Sequence, residues 1–369
     1  TIGMTACSEY TYGETEDYYI TLAEAPPCIN PPVGGTISGS LTACTGSDNL
    51  LSLTGGSGAV QWQSSTSSAS GPFTDISGAT ASSYTLNSAN TGTIYIRAKR
   101  TELGCTDAFS NVLTISINPG VVLTASSSAS TVCPGTSVNL TSSAGLSYGN
   151  TNDYPIPDFV LSNGIVNSPI VVSGLSPATI SATTVKSVSF NINHTFVGDL
   201  RIRLFSPAGN AATIVDQIGG SGQNFVNTTV VNSGAPNGNI SAASAPFTGT
   251  YNSTVSFATL TGATNGTWNL RAIDLTSGDV GTILDWTLVL ESDGVTYTWT
   301  SNPSGTNSNL QNITVTPLVP TTYTVTGAAG GCSDDAALLI NTSPLPELSV
   351  SSNAPVCEGQ DINLVASND

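Results

Sequence analysis

The chain has 369 residues, enough for two to four domains, and its 39% hydrophobic content lets it bury real cores. Seven Lys and Arg stand against 24 Asp and Glu, a formal charge of −17, so there is no cationic surface to bind a nucleic-acid backbone or an anionic membrane. No apolar run approaches the roughly eighteen residues of a membrane-spanning helix, and a single His with no C-x-x-C pair argues against zinc.

Residues 1–27 include TACSEYTYGETEDYYITL and open with neither a basic start nor an apolar stretch, which reads as a mature or excised segment without a leader. Seven Cys in a Lys-poor, β-rich chain point to disulfides and an oxidising compartment. The Pro-rich EAPPCINPPVGG then leads into residues 28–118. These offer about seven short alternating strands with Gly, Ser and Asn turns: DNLLSL, AVQWQSS around Trp62, TIYIRAKR with Tyr95, and NVLTISI after Cys105. That spacing predicts an immunoglobulin-like sandwich.

A repeat runs through the chain. CTGSDNLLSL from Cys44, CPGTSVNLTS from Cys133 and CEGQDINLVA from Cys357 each place Gly two positions and Leu seven positions after the Cys. The second copy lacks its Trp strand until VTYTWTSNPSG at Trp299, after which TTYTVTGAAGGC closes at Cys332 as the first copy closes at Cys105. A second sandwich, 119–149 and 294–343, is therefore expected to be interrupted by an insertion at 150–293, and 344–369 to start a third. Within this arrangement the expected bridges are Cys44 to Cys105 and Cys133 to Cys332, with Cys7 pairing Cys28 across the first junction. The partner of Cys357 is expected downstream. The incomplete sandwich at 344–369 is expected to be completed by downstream strands or by a neighbouring subunit.

The insertion carries HTFVGDLRIRLFSPAGN and GTWNLRAIDLTSGDVGTILDWTL, which resemble the P domain (Homo B domain) that accompanies the catalytic domain of proprotein convertases. The resemblance covers about 140 residues and implies a jelly-roll-like β-sandwich. Strands are expected around 184–193, 199–205, 211–216, 253–259, 267–273 and 283–290, with Trp268 and Trp286 in the core. His194, Thr195, Gly198 and Asp199 form a motif expected to hydrogen-bond across a turn. No nucleophile, second base or oxyanion loop is recognisable around His194, so its reading is structural and no enzyme activity is expected. Asp216, Asp274, Asp279 and Asp285 are candidate calcium ligands, since calcium takes carboxylates and loop carbonyls.

Two further resemblances concern the source. YGETEDYYITL is similar to the Gly-Glu-Val-Glu-Asp-Tyr ending of a β-sandwich module of large Bacteroidetes secreted proteins, with Thr15 in place of Val, and the CPGTSVNL…TTYTV…GC arrangement resembles their immunoglobulin-like repeats. Such proteins typically leave by the type IX secretion system. The whole reads as an all-β string of tandem immunoglobulin-like sandwiches with a P domain inserted into the second. Its expected role is a non-catalytic extracellular structural or adhesive segment, a stalk or filament subunit binding other copies of itself or surface polymers and glycans. An accessory region of a secreted subtilisin-like protease and a carbohydrate-binding module are the alternatives.

Overall fold

The computed structural model describes residues 27–88, 90–159, 164–343 and 348–368. Cys7 and the YGETEDYYITL motif lie outside the described residues. The fold is all-β, built from two-sheet sandwiches whose strands alternate buried and exposed side chains.

In the first sandwich, Asp48–Thr54 lies between Thr36–Ser38 and Ser83–Asn87, with Asn49, Leu51 and Leu53 pointing inward. The facing sheet runs Thr42–Cys44, Leu113–Asn118, Gly92–Thr101, Ala59–Ser65, Thr74–Asp75. Trp62 is fully buried between the sheets, among Leu51, Leu86, Ile96 and Ile115, and its indole N–H donates to the Ala81 carbonyl at 2.9 Å. A buried indole needs that acceptor, because an orphaned donor costs about 1–3 kcal/mol.

The second sandwich repeats this plan. Thr131–Val132 runs parallel to the end of Cys332–Thr342, as Thr42–Cys44 runs parallel to Leu113–Asn118. The turns that follow also match: Ser47 N–H donates to Cys44 O, and Thr136 N–H to Cys133 O, each at 3.0 Å. Gly46 and Gly135 adopt φ of +75° and +80°, a conformation that side chains resist. The start of the third copy has the same turn, Gln360 N–H to Cys357 O at 3.0 Å with Gly359 at +84°. There Leu348–Ser352 pairs with Leu364–Asn368.

The insertion is not hung on a loop. Strand Val138–Asn150 pairs through Val138–Leu140 with Ile313–Val315 of the second sandwich, then through Gly145–Asn150 with Glu291–Trp286 of the insertion. Residues 145–149, expected to precede the insertion, thus already belong to its sheet. That sheet continues through Val185–His194 and Phe225–Val231 to Phe247–Asn252. The opposing sheet is Ile165–Val172, Gly266–Asp274, Leu200–Phe205, Ala211–Asp216. One continuous cluster of buried side chains runs from Val121 and Trp299 in the second sandwich to Phe190, Trp268 and Trp286 in the insertion. The strand expected at 253–259 is instead a turn: Phe257–Thr259 is a 3-10 segment capped by Ser256, whose side chain accepts from Ala258 N–H. The strands at 165–172 and 225–231 were not expected.

The cysteines pair differently from the sequence expectation. Cys28 bonds Cys105 and Cys44 bonds Cys332, while Cys133 is free. The reason is strand length. Cys332 begins the strand Cys332–Thr342, whose opposite end pairs with Val132 beside Cys133. Ten residues of strand at about 3.3 Å each hold the two cysteines roughly 33 Å apart, whereas a disulfide needs Cα atoms within about 7 Å. The same reasoning separates Cys44, at the Asn118 end of the closing strand, from Cys105, which precedes it. Each closing cysteine therefore reaches back toward the preceding segment.

Candidate functional site

Two places in the molecule combine unusual chemistry with close geometry. They are the junction between the first two sandwiches and the loop end of the insertion that carries the only histidine.

At the junction, the Cys44–Cys332 bond joins the turn of one sandwich to the hairpin tip of the next, with Cα atoms 5.7 Å apart. Polar contacts surround it. Thr45 Oγ1 accepts from Gly120 N–H at 2.8 Å and donates to Ser147 O at 3.1 Å. Asn118 Nδ2 donates to Gly330 O at 2.6 Å, and Asp334 accepts from Leu123 N–H at 2.8 Å. With only Pro119 between Asn118 and the next strand at Gly120, the linker has no slack.

At the loop end, strand Val185–His194 delivers His194 and strand Gly266–Asp274 delivers Asp274 from the opposite sheet. Both side chains are fully buried, with His194 Nε2 3.9 Å from Asp274 Oδ2 and neither atom given a hydrogen-bond partner among the described residues. His194 Nδ1 faces the backbone of Phe196, 3.0 Å from its O and 3.2 Å from its N. The backbone N–H of His194 donates to Asn224 Oδ1 at 2.9 Å, and Asn224 itself sits at φ +65°. Gly281 passes so close that an added Cβ would lie 2.4 Å from the imidazole and 2.5 Å from Asn193 O, which no ordinary side chain tolerates.

The turn around this pair is stitched by the rest of the motif. Thr195 Oγ1 donates to Asp279 at 2.7 Å and accepts from Val280 N–H at 3.2 Å. Gly198 N–H donates to Gly220 O at 2.9 Å, and the Asp199 carbonyl accepts from Leu275 N–H at 3.0 Å. An imidazole sealed on all sides has no path to a substrate, so the arrangement fixes two loops to the sheet ends.

The four candidate calcium ligands do not converge. Asp274 is buried beside His194, and Asp279 holds Thr195. Asp216 pairs with Arg201 Nε at 2.7 Å, and Asp285 accepts twice from Asn191 Nδ2 at 2.9 and 3.1 Å. Among the described residues no three His, Cys, Asp or Glu side chains gather in a metal-binding group. Asn224, Gly281 and Asp158, which accepts from Gly278 N–H at 3.2 Å, belong to the loop end and were not anticipated. The sequence signal for Gly281 was its place in SGDVGTI, where a turn meets the first residue of strand Gly281–Glu291.

Burial raises the pKa of Asp274. The neighbouring His194 opposes the rise, as does the Thr276 N–H bond, while Asp199 and Asp158 add to it. The linkage sign follows. A carboxyl whose folded-state pKa lies above its unfolded value of 3.8 stabilises the fold fully below that pH, and loses this contribution as pH rises through the folded value. Wild type is therefore expected to lose stability relative to Asp274→Asn as pH increases from about 3 towards neutrality. Paired urea titrations at several pH values check this, and a pH-independent difference between the two proteins would refute it.

The four indoles are all buried: Trp62, Trp268 and Trp299 fully, and Trp286 to 1% exposure. None is available to stack on a sugar ring.

Comparison with known proteins places two segments. Residues 184–290 match the family model described as the proprotein convertase P-domain, and residues 33–119 match a family described only as a domain of unknown function. The chain is 33% identical over 142 residues to leupeptin-inactivating enzyme 1 of Streptomyces exfoliatus, covering 38% of this chain and 25% of that protein. It is 32% identical over 150 residues to the transglutaminase-activating metalloprotease of Streptomyces mobaraensis, covering 40% of this chain and 15% of that protein. It thus spans about a quarter or less of the length of these relatives. A structure of the adhesin InvE of Yersinia pseudotuberculosis aligns with 83% of this chain and 58% of its own at 13% identity and a TM-score of 0.15. The chain therefore contains a P-domain segment, a non-catalytic accessory module, set among further β-sandwiches.

Proposed function

We propose that this chain is a non-catalytic, extracellular structural segment, a stiff stalk of sandwiches from which the P-domain segment projects sideways. The observation that carries this reading is the continuous strand Val138–Asn150, which passes from the second sandwich into the insertion without a hinge. The Cys44–Cys332 bond supports it by bracing the first junction, and the two disulfides suit an oxidising compartment outside the cell. A chain in which only 8% of residues are charged owes its solubility to Ser, Thr, Asn and Gly, which suits contacts with other copies of the chain or with surface polymers and glycans.

A second reading, an accessory region of a secreted protease, is favoured by the name of the metalloprotease of Streptomyces mobaraensis. Electron microscopy of the native secreted protein separates the two. The stalk reading expects elongated particles with beads at fixed spacing and one lateral bulge. Compact particles that carry proteolytic activity would overturn it in favour of the second.

A further inference from the structure

The first sandwich shows how one repeat is fastened to the next, and the second sandwich presents the same fastening without its partner. Cys44 and Cys133 occupy equivalent positions: each ends or directly follows a short strand parallel to the closing strand of its own sandwich, and each opens the same Cys-x-Gly turn with the same 3.0 Å hydrogen bond. Cys44 is bonded to the hairpin-tip cysteine of the following repeat, Cys332. Cys133 is free and exposed, and beside its turn Leu318 and Val319 are 71% and 51% exposed. An added Cβ on Gly135 would touch Leu318 at 3.7 Å, so this apolar pair belongs to the end face that bears Cys133.

A second, independent observation comes from the next repeat. The third repeat contributes the hairpin Leu348–Ser352 with Leu364–Asn368. Leu364 stands where Leu51 and Leu140 stand in the first two copies, seven residues after the repeat cysteine. Those two are fully buried under the facing sheet of their sandwiches, while Leu364 is 73% exposed, as are Val350 at 66% and Val365 at 58%. A hairpin with that much apolar surface requires a facing sheet. In the first two copies that sheet ends in a strand begun or preceded by a cysteine that reaches backward, Cys105 to Cys28 and Cys332 to Cys44.

We propose that Cys133 is the covalent docking point for the third repeat. It forms a disulfide with the cysteine at the tip of the closing hairpin of the sandwich to which Leu348–Ser352 belongs. The rule is that the turn cysteine of one repeat bonds the closing cysteine of the next, so the string is held by a ladder of bonds between modules. In the forming step the two thiols give up two protons and two electrons to a protein disulfide of the thiol-oxidoreductase class. Exchange through a mixed disulfide reduces that donor to a dithiol.

The test uses the native full-length chain, alkylated before purification and digested with pepsin without reduction. Mass spectrometry is expected to find the Cys133 peptide linked to a peptide whose cysteine lies about ten residues after a strand Tyr, as Cys332 follows Tyr323. Cys133→Ser in the same chain is expected to expose one new alkylatable thiol, on that hairpin. Cys133 recovered as an alkylated free thiol, linked to Cys357 or Cys7, or replaced by Ser with no new thiol appearing would each overturn the proposal.

Discussion

Replacing Cys44 and Cys332 together by Ser is expected to destabilise the second sandwich and its insertion by about 2–5 kcal/mol. The bond joins residues 288 apart, so in the chain-entropy picture the unfolded state it restricts is very large. The Cys28–Cys105 bond, with a separation of 77, overlaps this loop and already removes part of that freedom, which keeps the expected loss within the usual range. Native geometry is expected to be retained in the variant, because Thr45 and Asn118 still cross the junction through hydrogen bonds to Gly120, Ser147 and Gly330. The measurement is urea unfolding of the oxidised wild type and the double variant at one protein concentration, with small-angle scattering of both. Lower stability with an unchanged scattering profile is the expected pair of results. A drop below about 0.5 kcal/mol would mean that the polar contacts alone brace the junction, and the proposed stiffness would then no longer depend on the disulfide.

The pairing itself marks a limit of what could be read from the sequence. Cys44, Cys133 and Cys357 announce the repeat through the Gly and Leu that follow them, and the buried Leu51 and Leu140 bear out what that spacing encodes. The partners were misassigned because a repeat invites pairing within each copy. Yet the closing cysteine and the turn cysteine of one copy sit at opposite ends of a single strand, and the count of residues in ALLINTS and its neighbours carries that information. The strand 165–172 was missed for a different reason. IVNSPIVV contains Pro169, which argues against a central strand; it is tolerated because this strand lies at the edge of its sheet, paired on one side with Gly266–Asp274. Of the loop end, HTFVGD was legible as a turn. The placement of Asp274 against His194 was not, since it depends on two strands from opposite sheets, eighty residues apart, ending at the same level. The missing strand at 253–259 shows the converse failure: TVSFATL alternates like a strand, but Ser256 caps a turn instead and Phe257 fills the core from there.

Trp286→Ala is expected to cost about 3–5 kcal/mol, and its consequences should cross a module boundary. Trp286 lies on strand Gly281–Glu291, paired with Phe190 on one side and Asn150 on the other, and is 1% exposed. Its indole N–H donates to the buried Ser168 Oγ at 2.9 Å, tying the two sheets of the insertion together. Truncation leaves both a large cavity and a hydroxyl without its partner, two penalties that add because the buried Ser168 has no access to water. The partner strand Val138–Asn150 also carries Val138 and Leu140 into the second sandwich, so loosening it at Asn150 weakens the core around Trp299 as well. Trp62→Ala should cost a similar amount but stay local, since the Trp62 core is a separate cluster. Hydrogen exchange resolves the two cases. For Trp286→Ala, faster exchange is expected throughout 185–194 and 281–291 and also in 120–127 and 313–315, with 59–65 unchanged. For Trp62→Ala, the increase should be confined to the first sandwich. If Trp286→Ala left 120–127 and 313–315 at wild-type rates, the second sandwich and the insertion would be energetically separate, and the unbroken strand would not be acting as a stiff joint.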